Sequence, residues 1–122
     1  MPSYTAHNST NQSIIGTCIE LANTGQARRV GLLKHEHLES GHGLLIPGRS
    51  WIPLMAIHTI RMQFPIDIFF LDKHNRVLAL YTLPPNRVTW VKRARRVLEM
   101  AEGTIALSGC QHGDVIVFTI NS

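Results

Sequence analysis

A chain of 122 residues, 44% hydrophobic and 16% charged, is long enough for one domain with a buried core and lacks the signature of disorder. Its formal charge of +4 is compatible with nucleic acid or an anionic surface as partner, yet many solvated domains are as basic. No apolar run is long enough to span a bilayer, and "MPSYTAHNSTNQS" has neither the basic start nor the apolar segment of a secretory signal; no membrane insertion and a cytoplasmic setting are expected.

Residues 1–12, rich in Ser, Thr and Asn, read as a flexible lead-in to a single β-rich domain over 13–122. "IIGTCIELA" is apolar and β-branched, which predicts a first strand and makes Cys18 a small buried hydrophobe within it. Two distant cysteines, Cys18 and Cys110, make no disulfide framework. Thr24 can cap a short helix over "GQARRVGLLKHEHL", where Ala27, Val30 and Leu33 recur at helical spacing. Gly31 weakens that helix, and Gly41 and Gly43 bracket a turn after it.

Short β-type segments dominate from there. "GLLIP" ends at a proline, and "RSWIPLMAIHTI" is broken by Pro53. Pro65 opens "IDIFFLD", where a strand's first residue need not donate to the ladder. "DKHN" is a turn begun by Asp72, and "RVLALY" the returning strand of a hairpin. "TLPPNR" is a loop, because adjacent prolines cannot continue a central strand. "VTWVKRARRVLEMA" reads as one further extended stretch, Gly103 begins a connector, and "DVIVFTI" is a last strand after a glycine turn. Many short strands with glycine-marked turns and one or two short helices predict a mainly β, single compact sandwich or barrel.

The chemistry-bearing residues are sparse. His35 and His37 of "HEH" point apart if helical, and no third ligand stands at a zinc spacing, so neither a metal nor a cofactor is expected. "VKRARRV" carries Lys92, Arg93, Arg95 and Arg96. If it is a strand, Lys92 and Arg96 share one face and Arg93 and Arg95 the other. A solvated edge strand is the simpler reading than a nucleic-acid groove, which would want aromatic platforms where only Trp90 is adjacent. Ser108, Cys110 and His112 have no orienting partner, and no nucleophile elbow, P-loop or dinucleotide fingerprint occurs. Asp67 stands out: in a strand it shares a face with Phe69 and Leu71, so it must be hydrogen-bonded or paired. Arg28, Arg49, Arg61 and Arg87 are candidate partners. The functional alternative is a carboxylate at the floor of a pocket with His58 at its rim.

Together, an R-x-x-G-L-L block (Arg28, Gly31, Leu32, Leu33), an H-T-x-x-M-x-F-P-I-D block (His58, Thr59, Met62, Phe64, Pro65, Ile66, Asp67), V-L-E (Val97, Leu98, Glu99) and G-D (Gly113, Asp114) resemble the Domain of Unknown Function 192 family from Ile14 to Phe118. The resemblance implies a jelly-roll-like β domain and brings no activity. It implies the shorter, unexported type of member and an accessory role in pilus, secretion or envelope assembly. It also implies that Asp67 is a fixed feature of the core, with Arg28 as its partner. A departure lies in "PGRSWIPLMAI", longer than in similar sequences and without the cysteine they often carry.

The sequence therefore supports a noncatalytic module that binds a small ligand or a protein through a pocket of Trp51, His58, Met62 and Asp67. The rivals are a small hydrolase-like or metal-dependent enzyme using His58 and Asp67, and nucleic-acid binding through residues 92–96.

Overall fold

The computed structural model describes residues 3–22, 38–48 and 54–122. In chain order they form β1 (Ser3–Asn8), β2 (Ser13–Leu21), β3 (His42–Pro47), β4 (Leu54–His58), β5 (Ile66–Leu71), β6 (Val77–Leu83), β7 (Val88–Lys92), β8 (Arg96–Ala101), α1 (Thr104–Ser108) and β9 (Ile116–Ile120). Seven strands make one sheet in the order β6-β5-β8-β3-β2-β1-β9, and β4 with β7 makes a second. All neighbours are antiparallel except β2 and β3, which run parallel.

The large sheet curls. Arg76 bridges Val115, and Val77 N–H donates to the Asp114 carbonyl at 2.8 Å, so the start of β6 meets the start of β9 at one end of a half-barrel. Alternation sorts the side chains into two layers. Ile19, Leu45, Phe69, Leu71, Leu98, Met100 and Ile116 fill the inside of the curl. On the opposite face, Leu44, Ile46, Ile66, Ile68, Phe70 and Val97 pack against Ile57, Met62 and Phe64. Every residue of β5 is therefore buried, as "IDIFFL" demands. Met100 owes its place to two glycines. A Cβ on Gly16 would lie 2.6 Å from its Cε, and one on Gly43 would also meet its Sδ.

The mainly β architecture expected from the sequence holds, with three local differences. Residues 3–8, expected to be part of a flexible lead-in, form a strand paired on both sides, because Ala6 and Asn8 alternate into the core. The stretch 88–101 is two strands rather than one: Arg93 takes a left-handed φ of 68° and the chain turns onto another sheet. The connector after Gly103 winds into α1, with Gly109 in the left-handed region at its end. The helix expected over "GQARRVGLLKHEHL" lies outside the described residues apart from Leu38.

Candidate functional site

Asp67 projects into the curl beside Phe69 and Leu71 and is 1% exposed. Its Oδ1 accepts a hydrogen bond from the Thr82 hydroxyl at 2.7 Å, and its Oδ2 accepts one from the Ile105 N–H at 2.8 Å. The cross-strand register makes the first contact inevitable, because Thr82 stands opposite Asp67 on β6. The second fastens α1 to the sheet. Asp67 thus joins β5, β6 and α1 through hydroxyl and backbone donors. Arg28 lies outside the described residues, so the expected Arg28–Asp67 pair is not among these contacts.

Neither Met62 nor His58 is gathered around it. Met62 is buried in the opposite layer, among Ile57, Phe64 and Ile66. His58 is exposed at the end of β4, opposite Val88. Trp51 lies outside the described residues. Thr59 explains the H-T of its block: it is fully buried, donates its hydroxyl to the Pro84 carbonyl at 2.6 Å, and accepts the Arg87 N–H at 3.0 Å. Backbone bonds between Thr59 and both Asn86 and Arg87 complete a clamp between the loops that end β4 and begin β7.

That clamp holds an open face. Met55, Ile57 and Val91 point into the core, leaving Leu54, Ala56, His58, Val88, Trp90 and Lys92 on the outer side. Trp90 is 56% exposed and Val88 61%, and the cross-strand partner of Trp90 is the small Ala56. Cations stand at both ends: Arg61 and Arg87 at the Thr59 clamp, Lys92 and Arg93 at the turn beyond β7, all exposed. Residues 54–66 and 84–98 contain Arg61, Arg87, Lys92, Arg93, Arg95 and Arg96 and no Asp or Glu. They hold 6 of the chain's 12 Lys and Arg, so the remainder carries 6 against 8 acids, a net −2. Arg96 is committed elsewhere, to the Lys73 carbonyl and the Asn75 side chain. The composition carried this basic stretch openly; the turn at Arg93 that divides it between the two sheets had no glycine or proline to announce it.

Other polar groups are structural in geometry. Asp114 accepts from the Asn8 side chain at 2.8 Å and the Gln111 N–H at 3.0 Å, tying β1 to the turn before β9. Glu99, fully buried on β8, faces the Ile66–Ile68 layer; its place in V-L-E was the only signal for it. Burial, with Asp114 adding to it, pushes the Cys110 thiol up to about 11, far from a thiolate nucleophile at neutral pH. Among the described residues no three His, Cys, Asp or Glu side chains cluster as metal ligands, and no helix is long and apolar enough to cross a membrane. A shallow groove of about 230 Å³ lies between β2 and α1, lined by Ile14, Thr17, Gly41, Thr104 and Leu107.

The fold has relatives among solved structures. A protein from Sinorhizobium meliloti 1021, described as a candidate transcription regulator, superposes with a TM-score of 0.80 at 17% identity, over 96% of this chain and 92% of its own. A protein of unknown function from Novosphingobium aromaticivorans DSM 12444 superposes with a TM-score of 0.77 at 21% identity, over 96% of this chain and 84% of its own. At such identities the likeness concerns the fold. No curated protein matches the chain. The model of the DUF192 family, described as "Uncharacterized ACR", matches residues 6–118, nearly the whole described domain with its H-T, F-P-I-D, V-L-E and G-D blocks, and the chain belongs to that family.

Proposed function

We propose that the protein is a noncatalytic binding module and that its docking surface is the outer face of the β4–β7 sheet. One observation carries this reading: an exposed Trp90 and Val88 on a sheet face whose acid-free flanks present Arg61, Arg87, Lys92 and Arg93. Trp and Arg are the residue types that most often dominate binding energy at interfaces. The sheet beneath is anchored by Ile57 and clamped by Thr59, so the face is preorganised. This differs from the pocket expected around Asp67. That carboxyl group has both oxygens engaged inside the curl, while His58 stands on the outer sheet, a separation that does not suit an acid–base pair.

A photo-crosslinking amino acid placed at Val88, with Gln111 as a remote exposed control, tests the surface in cells that make the protein. Discrete adducts from position 88 and none from position 111 are expected. Equal or absent adducts from both would overturn the assignment of this face.

A further inference from the structure

We propose that the partner of this face is single-stranded nucleic acid, an inference that rests on the docking surface proposed above. Two demands define such a partner's platform: a flat aromatic face for an unpaired base, and cations tracking the backbone on either side. The β4–β7 sheet meets both. Trp90 stands in the third position of β7, and its neighbour across the sheet is Ala56, too small to cover the indole. From Val88 to Lys92 the strand rises about 13 Å, four steps of about 3.3 Å. Arg87 precedes that span, Arg93 follows it, and Arg61 joins Arg87 through the N–H that it donates to the Asn86 side chain at 3.0 Å. Cations therefore stand at both ends of the strand that carries the indole, as the backbone of an extended nucleic-acid strand with a charge at every step would require.

Other occupants fit less well. A second copy laid face to face would set the same four cations against each other, with no Asp or Glu in either segment to relieve them. A duplex hides the faces of its bases and would leave Trp90 unused. An acidic peptide would satisfy the cations, yet it offers no general use for an indole that Ala56 leaves open. An anionic bilayer would favour a broader apolar patch than Leu54, Val88 and Trp90 provide.

The test is fluorescence anisotropy of labelled 20-nucleotide oligothymidylate and oligouridylate on the full chain, at 50 and 200 mM NaCl. With four phosphates neutralised, affinity falls about 50-fold between the two salts. Lys92→Gln with Arg93→Gln leaves two, and the loss shrinks to about sevenfold. Trp90→Ala weakens binding at least fivefold at either salt, with an unchanged melting temperature because the side chain is exposed. Trp90→Phe keeps part of the affinity. Silence of both oligonucleotides at 50 mM NaCl, equal affinity for a 20-base-pair duplex, or full affinity in Trp90→Ala would each overturn the proposal. So would binding to phosphatidylserine vesicles or to polyglutamate in place of the oligonucleotides. If the oligonucleotides are silent while position 88 still gives crosslinks, the partner class is wrong and the face stands. Silence in both experiments removes the face as well.

Discussion

Replacing Asp67 by Ala removes two acceptors at once, and the cost can be built from what each donor does next. Thr82 lies near the surface, so its hydroxyl turns to water and recovers most of what it loses. The Ile105 N–H is half-buried at the start of α1 and has no such freedom; leaving it without an acceptor costs about 1–3 kcal/mol. With up to about 1 kcal/mol from the Thr82 bond, the total is about 1–4 kcal/mol. The Arg28 pair inferred from the family resemblance requires more, about 3–5 kcal/mol, because an unpaired buried cation would remain. Urea unfolding followed by far-UV circular dichroism separates the two, since the strands of the large sheet, β5, β6 and β8 among them, supply that signal. Asp67→Asn keeps one acceptor and is expected to restore about half of the loss. In a double-mutant cycle Thr82→Val should couple to Asp67→Ala by about 0.5–1 kcal/mol. An unchanged urea midpoint in Asp67→Ala would refute the hydrogen-bond account. A loss above about 4 kcal/mol would refute the magnitude and put a buried cation beside the carboxyl group.

Four further outcomes follow from the same geometry. Gly43→Ala places a Cβ 2.6 Å from the Glu99 carbonyl between two paired strands and should cost at least about 2 kcal/mol by urea unfolding. Thr59→Val leaves the Arg87 N–H without its side-chain acceptor and should destabilise by about 1–3 kcal/mol, with faster hydrogen exchange at residues 59, 86 and 87. Burial alone would raise the Asp72 carboxyl, but the N–H groups of Arg76 and His74 outweigh it and hold it below its usual value. Its contribution to stability is then present above about pH 4 and lost as pH falls further, a slope that Asp72→Ala should remove from urea midpoints measured between pH 5 and 2.5. For Cys110 the sign is opposite. Between pH 9.0 and about 11 the unfolded thiol ionises while the folded one keeps its proton, so stability falls with rising pH, and Cys110→Ala should show a shallower decline than the parent.

The parts of the fold that could be read in advance are those whose cause is local. Pro65, the alternation of "IDIFFL" and the Asp72 turn specify the β5–β6 hairpin, and Asp72 does accept the His74 and Arg76 N–H groups there. The burial of Asp67 was legible for the same reason, because a strand's period fixes which neighbours share its face. Its partners were not: Thr82 is placed by cross-strand register, and Ile105 by a five-residue helix with a sequence too short to show a period. β1 was hidden by composition. Its Ser, Thr and Asn suit a tail, and it is a strand because it pairs with β2 on one side and, on the other, with β9 more than a hundred residues away. Glu99 was hidden by its setting, since a carboxylate in "RVLEMA" is buried only when sheet neighbours β3 and β5 flank it and both faces are covered.

The binding face depends on a turn of the same hidden kind. Read as one strand, "VTWVKRARRV" scatters its cations over two faces and strands Trp90 among them, which favours a merely solvated edge. Arg93 at a φ of 68° breaks that alternation, sends Arg96 to the large sheet, and leaves Lys92 on the face of the indole with Arg93 at the turn beyond it. The charge surplus was always in the sequence, but its segregation is not a property of net charge. Asp67 and Asp114 accept from donors inside the domain, and Asp72 from its own turn, which holds these acids away from the β4–β7 face. The carboxylates that stabilise the half-barrel and the cations left exposed on the small sheet are two sides of one arrangement. Moving a charge between them is therefore diagnostic. Thr89→Glu would be an uninformative choice because Thr89 points partly inward, whereas Ala56→Glu puts an acid directly opposite Trp90. It should leave stability within about 0.5 kcal/mol while abolishing whatever binds this face, and an Ala56→Glu variant that binds as the parent does would show that the face is not the one used.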